Sequence, residues 1–337
     1  MTPKKSPPLR VAIVGASTLK GREVKSALQD QKFPVKKLML SDSDEDLGRL
    51  SEFDGEPVFS MTINENNFEF LDVVFFAGSA ETTQTYAHLA KRNDFLLVDM
   101  THAFWKQSAV PLFSESRKAR KRAVTPHEGV VSSPHPAVIA IASILERLSD
   151  LHEIRNCVVT VLEPASERGS SGVEELKQQT IDLFSFQKGS QAVFDRQLAF
   201  NLLSRFGTEA KEKLLDVEQI VATQLRALLA PGCLPSVTLI QAPVFHSHAF
   251  SFFVEVDSTI SIPDLEKCLE AEEESLTVIQ TTEEPPSPVQ VAGTDLVQIG
   301  GMKRDFLNPR GVWFWAVSDN LRLAALNAVS AAKNILL

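Results

Sequence analysis

The sequence predicts a two-part α/β chain, a parallel-sheet domain followed by an α+β domain. Through residues 10–131, short continuously apolar segments alternate with helical stretches. A glycine-bearing turn directly follows the first of them, and beyond residue 150 strand-like segments are separated by long helical ones in mixed order. Strands apolar on both sides belong to a parallel sheet covered on both faces, whereas the later pattern suits an antiparallel or mixed sheet.

Residues 11–14 form the first apolar run, ending at Gly15, with a helix over 21–28. Residues 38–40 predict a second strand, 73–77 (VVFFA) a third and 95–99 (FLLVD) a fourth, with helix over 80–92. In the second part, 156–162 (NCVVTVL), 236–244 and 250–256 read as strands, 173–184 and 209–229 as helices, and 283–288 (EEPPSP) as a loop. Residues 319–336 are Ala-rich, with Leu321, Ala325, Ala328, Val329 and Ala332 near one face of a helix. The expected division is 1–131 together with the C-terminal helix 319–337, and 132–318 as the second domain. No internal repeat is present.

A net charge of −9 argues against a nucleic-acid partner or an anionic membrane surface. The basic run KARKR at 118–122 is short, lacks interleaved aromatics, and reads as a solvated helix face. Cys157, Cys233 and Cys268 are odd in number without metal-ligand spacing, as expected of reduced thiols in a cytoplasmic protein. The opening MTPKKSPPLR has no apolar segment after it, so it reads as a lead into the first strand. No apolar stretch approaches the roughly 20 residues that cross a bilayer.

The turn itself lies in RVAIVGASTLKGREV, residues 10–24. In a strand-turn-helix of this Rossmann-like kind, glycines let the backbone approach a pyrophosphate at the helix N-terminus. Gly15 and Gly21 take the outer places, but Thr18 takes the middle one, where a β-branched side chain adds bulk and disfavours positive φ. The expectation is a pocket with no dinucleotide or with weakly bound NAD(P). After the second strand, the segment 41–46 reads Ser41-Asp42-Ser43-Asp44-Glu45-Asp46, whose acids would repel a ribose 2′-phosphate and so favour NAD over NADP. The same residues also read as a solvated acidic loop.

Several segments, in order and over nearly the whole chain, resemble the aspartate-semialdehyde dehydrogenase family. They are the glycine turn, VDMTHAFW (98–105), SSPHPAV (132–138), GVEEL (172–176), APV (242–244) through His248, and SDNL (318–321) through Asn327 and Ala328. The last departs from the family in having Leu323 where its pattern has glycine. The segment FDRQLAFN (194–201) resembles the Usg-type branch, whose active sites are degenerate.

The resemblance implies a Rossmann-like NAD(P)-binding domain and a second domain that holds substrate and forms a homodimer. It implies NADPH-dependent reductive dephosphorylation of an acyl phosphate through a cysteine thioester. It places Gly15, Ala16, Ser17, Thr18, Gly21, Ser41 and Asn320 at the cofactor. The family's N-P-N-C matches Ser133-Pro134-His135-Pro136, so Pro136 takes the nucleophile position and the thiol is absent. Proline suits the first position of a helix, where its fixed φ and missing N–H cost nothing. Glu163 matches the family's glutamine, and Ser166-Glu167-Arg168-Gly169 its S-G-A-G loop. Gln241 takes the place of the substrate arginine, whose bidentate fork suits a carboxylate. Trp105 takes that of the phosphate-contacting arginine, and Gly301 that of a late V-G-R arginine. His248 matches the retained base.

Ser133 beside His135 is a Ser–His neighbour pair, but a turn or N-cap role for Ser133 fits the local sequence better. His246 and His248 would share a face if they lay in one strand, but no third ligand is identifiable, so no metal site is expected. The expected function is a catalytically inactive homologue that acts by binding or assembly, with an unidentified protein partner open to it. The alternative is an oxidoreductase of the same family with an altered substrate, using His248 and NAD.

Overall fold

The computed structural model describes residues 7–42, 50–115, 124–150, 152–257, 259, 261–270, 276–280 and 283–337. The basic run 118–122 and the acidic residues Asp44, Glu45 and Asp46 lie outside these. The chain divides into two compact units, residues 1–135 with 324–337, and residues 136–323.

The first unit is a seven-stranded sheet in the order β3-β4-β2-β1-β5-β6-β7. Its strands are β1 (Leu9–Val14), β2 (Val35–Asp42), β3 (Leu50–Phe53), β4 (Glu56–Thr62), β5 (Val73–Phe76), β6 (Leu96–Asp99) and β7 (Val130–Ser132). Only β3 runs antiparallel, paired to β4. Helices α1 (Leu19–Asp30), α2 (Ala80–Tyr86) and α3 (His88–Asn93) lie between strands.

Alternate residues supply two separate cores, which is why the strands read as unbroken apolar runs. Val11, Ile13, Val73, Phe75 and Val98 pack with Val24 and Leu28 and with Ala325, Ala328 and Val329 of the C-terminal helix. Ala12, Val14, Val74, Phe76 and Leu97 pack with Phe68, Leu89 and Phe95. The parallel sheet covered on both faces is therefore as predicted.

The second unit is a six-stranded mixed sheet in the order β11-β12-β13-β10-β8-β9. Its strands are β8 (Ile154–Glu163), β9 (Ser236–Gln241), β10 (His248–Val256), β11 (Leu276–Val278), β12 (Val297–Arg304) and β13 (Gly311–Ser318). The pairs β8/β9 and β11/β12 are parallel and the others antiparallel. The helices are α4 (Pro136–Ser149), α5 (Gly169–Phe184), α6 (Leu214–Leu228), α7 (Ile262–Glu270) and the short α8 (Pro288–Val291). One sheet face carries Val159, Val161, Leu239, Phe250, Phe252, Phe314 and Ala316 into a core shared with α4, α6 and α7. The other face is half-exposed, with Val158 38% exposed and Phe253 tilted against Trp313 at 5.1 Å.

Boundaries differ from expectation for identifiable reasons. β9 stops at Gln241 rather than residue 244, just before Pro243, which has no N–H for the ladder. Helix α6 starts at Leu214, because residues 207–210 fold into a loop whose carbonyls accept from the Lys213 ammonium. The last helix, α9 (Asn320–Leu336), is buried almost all round through Val329, so the one-sided pattern describes only its final turns.

Candidate functional site

The functional side chains fall into two groups, one in each unit. In the first, Gly15 has φ +81°, and a Cβ there would stand 2.5 Å from the Gly78 nitrogen. Glycine is therefore required both by the turn and by the close pass of the β5 connection. A Cβ on Gly21 would lie 2.1 Å from the Gly15 carbonyl oxygen, so α1 packs directly on the turn.

Thr18 is not strained. It has φ −65° and is the N-cap of α1, accepting from the Gly21 amide at 3.0 Å. Its hydroxyl lies 2.7 Å from the Gly15 carbonyl and 3.1 Å from that of Ala77. The positive φ expected at the middle place is not used here, so the β-branched residue costs nothing and acts as a cap.

The turn's amides are taken up internally. Gly15 and Ala16 donate to the Ser41 carbonyl at 2.7 and 3.3 Å, and Thr18 donates to Gly15 at 3.1 Å. Ser17 donates to the Asp42 carboxylate at 2.7 Å, and the Ser60 hydroxyl donates to its other oxygen. Ser41 and Asp42 close β2, so this end of the acidic segment faces the turn rather than solvent.

At the end of β6, buried Asp99 accepts from the Thr101 amide and hydroxyl, each at 2.8 Å, and from the Ser132 hydroxyl at 3.0 Å. Burial raises its pKa above the usual carboxylate range, against these hydrogen bonds. Trp105 carries the Lys106 ammonium 4.8 Å above its ring. The rings of His102 and His135 lie 5.4 Å apart.

The N-cap reading of Ser133 does not hold. Helix α4 begins at Pro136, which puts the cap position at His135. The Ser133 hydroxyl instead accepts from Asn327 Nδ2 at 2.8 Å, and the same amide group donates to the Phe113 carbonyl. Pro136 is buried and occupies the first helical position, as its fixed φ favours.

In the second unit the register lines up a polar row. His248 pairs with Ser318, Ala249 with Leu162, and Glu163 with Gln241. One step along β10 and β8 from the Ala249–Leu162 pair brings His248 beside Glu163. Ser318, His248, Glu163 and Gln241 therefore share one row and one face, and all are buried. The next row on that face is Ala316, Phe250, Val161 and Leu239, all in the core. The polar row is thus the core face continued to the end of the sheet.

Arg168 closes on this row. Its guanidinium donates to Glu163 Oε1 and, at 2.5 Å, to Glu212. It also lies over the Phe206 ring at 5.5 Å. Burial opposes its charge, but Glu163, Glu212 and Glu167 outweigh that and hold its pKa above the ordinary arginine value.

Gln241 Nε2 donates to the carbonyls of Glu163 at 2.7 Å and Ala242 at 3.4 Å, which fixes the amide's orientation. Its Oε1, and the hydroxyls of Ser247 and Ser318, have no hydrogen-bond partner among the described residues. Ser247 sits at φ +73°, and its amide donates to Asn320 Oδ1 at 3.0 Å. Asn320 Nδ2 donates to Glu167 at 2.7 Å and meets the Ser166 hydroxyl at 3.0 Å. Asn320 therefore ties together the 166–167 turn and the residue preceding His248.

His246 lies in a bend outside β10 and is separated from His248 by left-handed Ser247. The strand alternation that would have put both imidazoles on one face does not occur. Gly301, at φ +59°, sits at a register shift of β12 against β13. The Cys157 thiol is buried in β8, and desolvation, with a smaller effect of Cys233, raises its pKa to about 12.

This geometry belongs with a known architecture. The family model described as "Semialdehyde dehydrogenase, NAD binding domain" matches residues 10–122, and "Semialdehyde dehydrogenase, dimerisation domain" matches residues 145–323, more than half the chain. The chain belongs to the semialdehyde dehydrogenase family.

Among relatives in this family, a USG-1 protein homolog of Azotobacter vinelandii is 31% identical, covering 97% of this chain and 98% of its own. An aspartate-semialdehyde dehydrogenase of Rickettsia bellii is 27% identical, covering 97% of each. The solved aspartate semialdehyde dehydrogenase II of Vibrio cholerae superposes with a TM-score of 0.87 at 24% identity, covering 98% of each chain, a likeness of fold. The semialdehyde dehydrogenase family thus accounts for both units. No helix among the described residues is long and apolar enough to cross a membrane.

Two features of the site were not foreseen from the sequence, the Arg168 bond to Glu163 and Asp42 bonding into the glycine turn. The five-residue spacing of opposite charges from Glu163 to Arg168 was the available signal for the first. The second had none, because only the β1–β2 pairing brings residue 42 to residue 17.

Proposed function

We propose that this family member has given up thioester chemistry and acts as a homodimeric binding or assembly protein, with NAD(P) bound weakly or not at all. The carrying observation is that Pro136, which the sequence resemblance matches to the family's nucleophile, has no nucleophilic atom and opens a buried helix. Gln241, Trp105 and Gly301 stand where the family's pattern has arginines, so the substrate's anionic groups would lose their partners. Two of the remaining thiols are poor substitutes. Cys157 lies in a core strand with a pKa of about 12, and the buried Cys268 thiol is also raised, mainly by desolvation. His248 alone is a base without a nucleophile.

The half-exposed sheet face that carries Val158, Phe253 and Trp313 suits an isologous two-fold contact. Retention of that face does not depend on catalysis.

The test is NADPH formation from aspartate semialdehyde, phosphate and NADP. Rates equal to a heat-killed control are expected, and the same for Pro136→Cys. Turnover by the wild-type protein refutes the reading. Sedimentation as a 37.1 kDa monomer at micromolar concentration refutes the dimer.

A further inference from the structure

We propose that Asp42 is a built-in anion of the glycine turn, selecting a dinucleotide with a free ribose 2′-hydroxyl and rejecting one with a 2′-phosphate. This rests on the cofactor part of the reading above and names the residue that sets its specificity.

A strand-turn-helix site binds anions through the turn amides and the helix N-terminus. Here Ser17 donates its amide to Asp42 Oδ1 at 2.7 Å, while Ser60 clamps the second carboxylate oxygen. The neighbouring amides of Gly15, Ala16 and Thr18 are committed to backbone carbonyls. A 2′-phosphate arriving at the end of β2 would meet this resident carboxylate and be repelled by its charge.

A ribose hydroxyl meets the opposite situation. It can donate to a carboxylate and needs no amide from the turn. Asp42 is the last residue of β2, the place from which an acidic side chain reads a 2′-hydroxyl in dinucleotide folds and near which a cation is required for a 2′-phosphate. Its charge is fixed in position by two donors from two separate elements, the turn and β4. The discrimination is therefore part of the folded scaffold.

Asp42→Asn isolates the charge. The amide oxygen still accepts from Ser17, and the amide nitrogen can donate to the Ser60 hydroxyl, so the turn keeps its shape. Asp42→Ser removes the charge and frees the Ser17 amide, and serves if the first variant does not fold. Each variant and the wild type would be titrated calorimetrically with NAD and with NADP, and thermal melts would confirm the folded state.

Wild type should bind NAD at least tenfold tighter than NADP. Either variant should shift that preference toward NADP by at least tenfold. An unchanged preference in the folded variants overturns the inference, as does tighter binding of NADP by wild type, or no binding of either dinucleotide by any of the three proteins. Each of these results leaves the inactivity reading standing. Turnover with aspartate semialdehyde would refute that reading and leave this one intact.

Discussion

Replacing Arg168 by Met should destabilise the second unit by about 3–5 kcal/mol, the cost of stranding a buried charge. The side-chain exposures set the size. Arg168 is 8% exposed and its partner Glu163 0%, whereas its other partner Glu212 is 64% exposed. Removing the guanidinium therefore takes the Arg168 cation away from a fully buried Glu163 carboxylate, while Glu212 simply returns to water. Glu212→Gln should cost less than about 1 kcal/mol, as exposed pairs do.

In Glu163→Gln combined with Arg168→Met, both buried charges disappear. The double variant should then be more stable than the sum of the single losses predicts, by on the order of 2–3 kcal/mol of coupling. Urea unfolding followed by tryptophan fluorescence measures this, since two of the three tryptophans, Trp313 and Trp315, lie on β13. The midpoint should fall without a change in slope. A loss under about 1 kcal/mol for Arg168→Met, or simple additivity in the double variant, would refute the assignment of this pair as buried and mutually dependent.

Two further outcomes follow from shifted titrations. Asp99 has a folded pKa raised mainly by burial, so the stability it confers is full below its unfolded pKa and is lost as pH rises through the folded value. Asp99→Asn should therefore gain stability relative to wild type as pH rises above the ordinary aspartate range, and a relative loss on that rise would contradict the shift. For the thiols, native protein at pH 8 should react with a disulfide reagent first at half-buried Cys233, with Cys157 protected until urea unfolds β8. Peptide mapping that finds Cys157 modified as fast as Cys233 would show that its strand opens readily.

The fold was legible where strands are apolar throughout. Segments 11–14, 73–77 and 95–99 stood out because both of their faces are buried, and the glycine turn located the first crossover. The β12–β13 pair was not legible. Gly300 and Gly301 break its alternation at a register shift, and Trp313 and Trp315 point to a half-exposed face, so no period-2 signal survives.

The small edge pair β3–β4 hid for a related reason. Leu50, Phe59 and Met61 are exposed, which inverts the usual link between apolar residues and the core. At the site, residue types could be read one at a time, but the row of Ser318, His248, Glu163 and Gln241 could not. It joins residues as much as 155 positions apart through three strand pairings, and register is a property of the assembled sheet.

Each unit shows the same physical device. A site built to hold an anion presents donors whose burial is costly unless something accepts from them. In the first unit the carboxylate of Asp42 takes the Ser17 amide, and in the second that of Glu163 takes the Arg168 guanidinium. On the proposed reading, internal carboxylates stand where ligand phosphate and substrate carboxylate would otherwise bring their charge. Such a replacement lets the scaffold stay folded without ligand, since the Ser17 amide and two of the Arg168 guanidinium nitrogens find acceptors within the chain. It also makes recovery of activity by one substitution unfavourable. Placing an arginine at position 241 would add a second cation to a row that already holds Arg168, and placing a thiol at position 136 would leave both internal anions as they are.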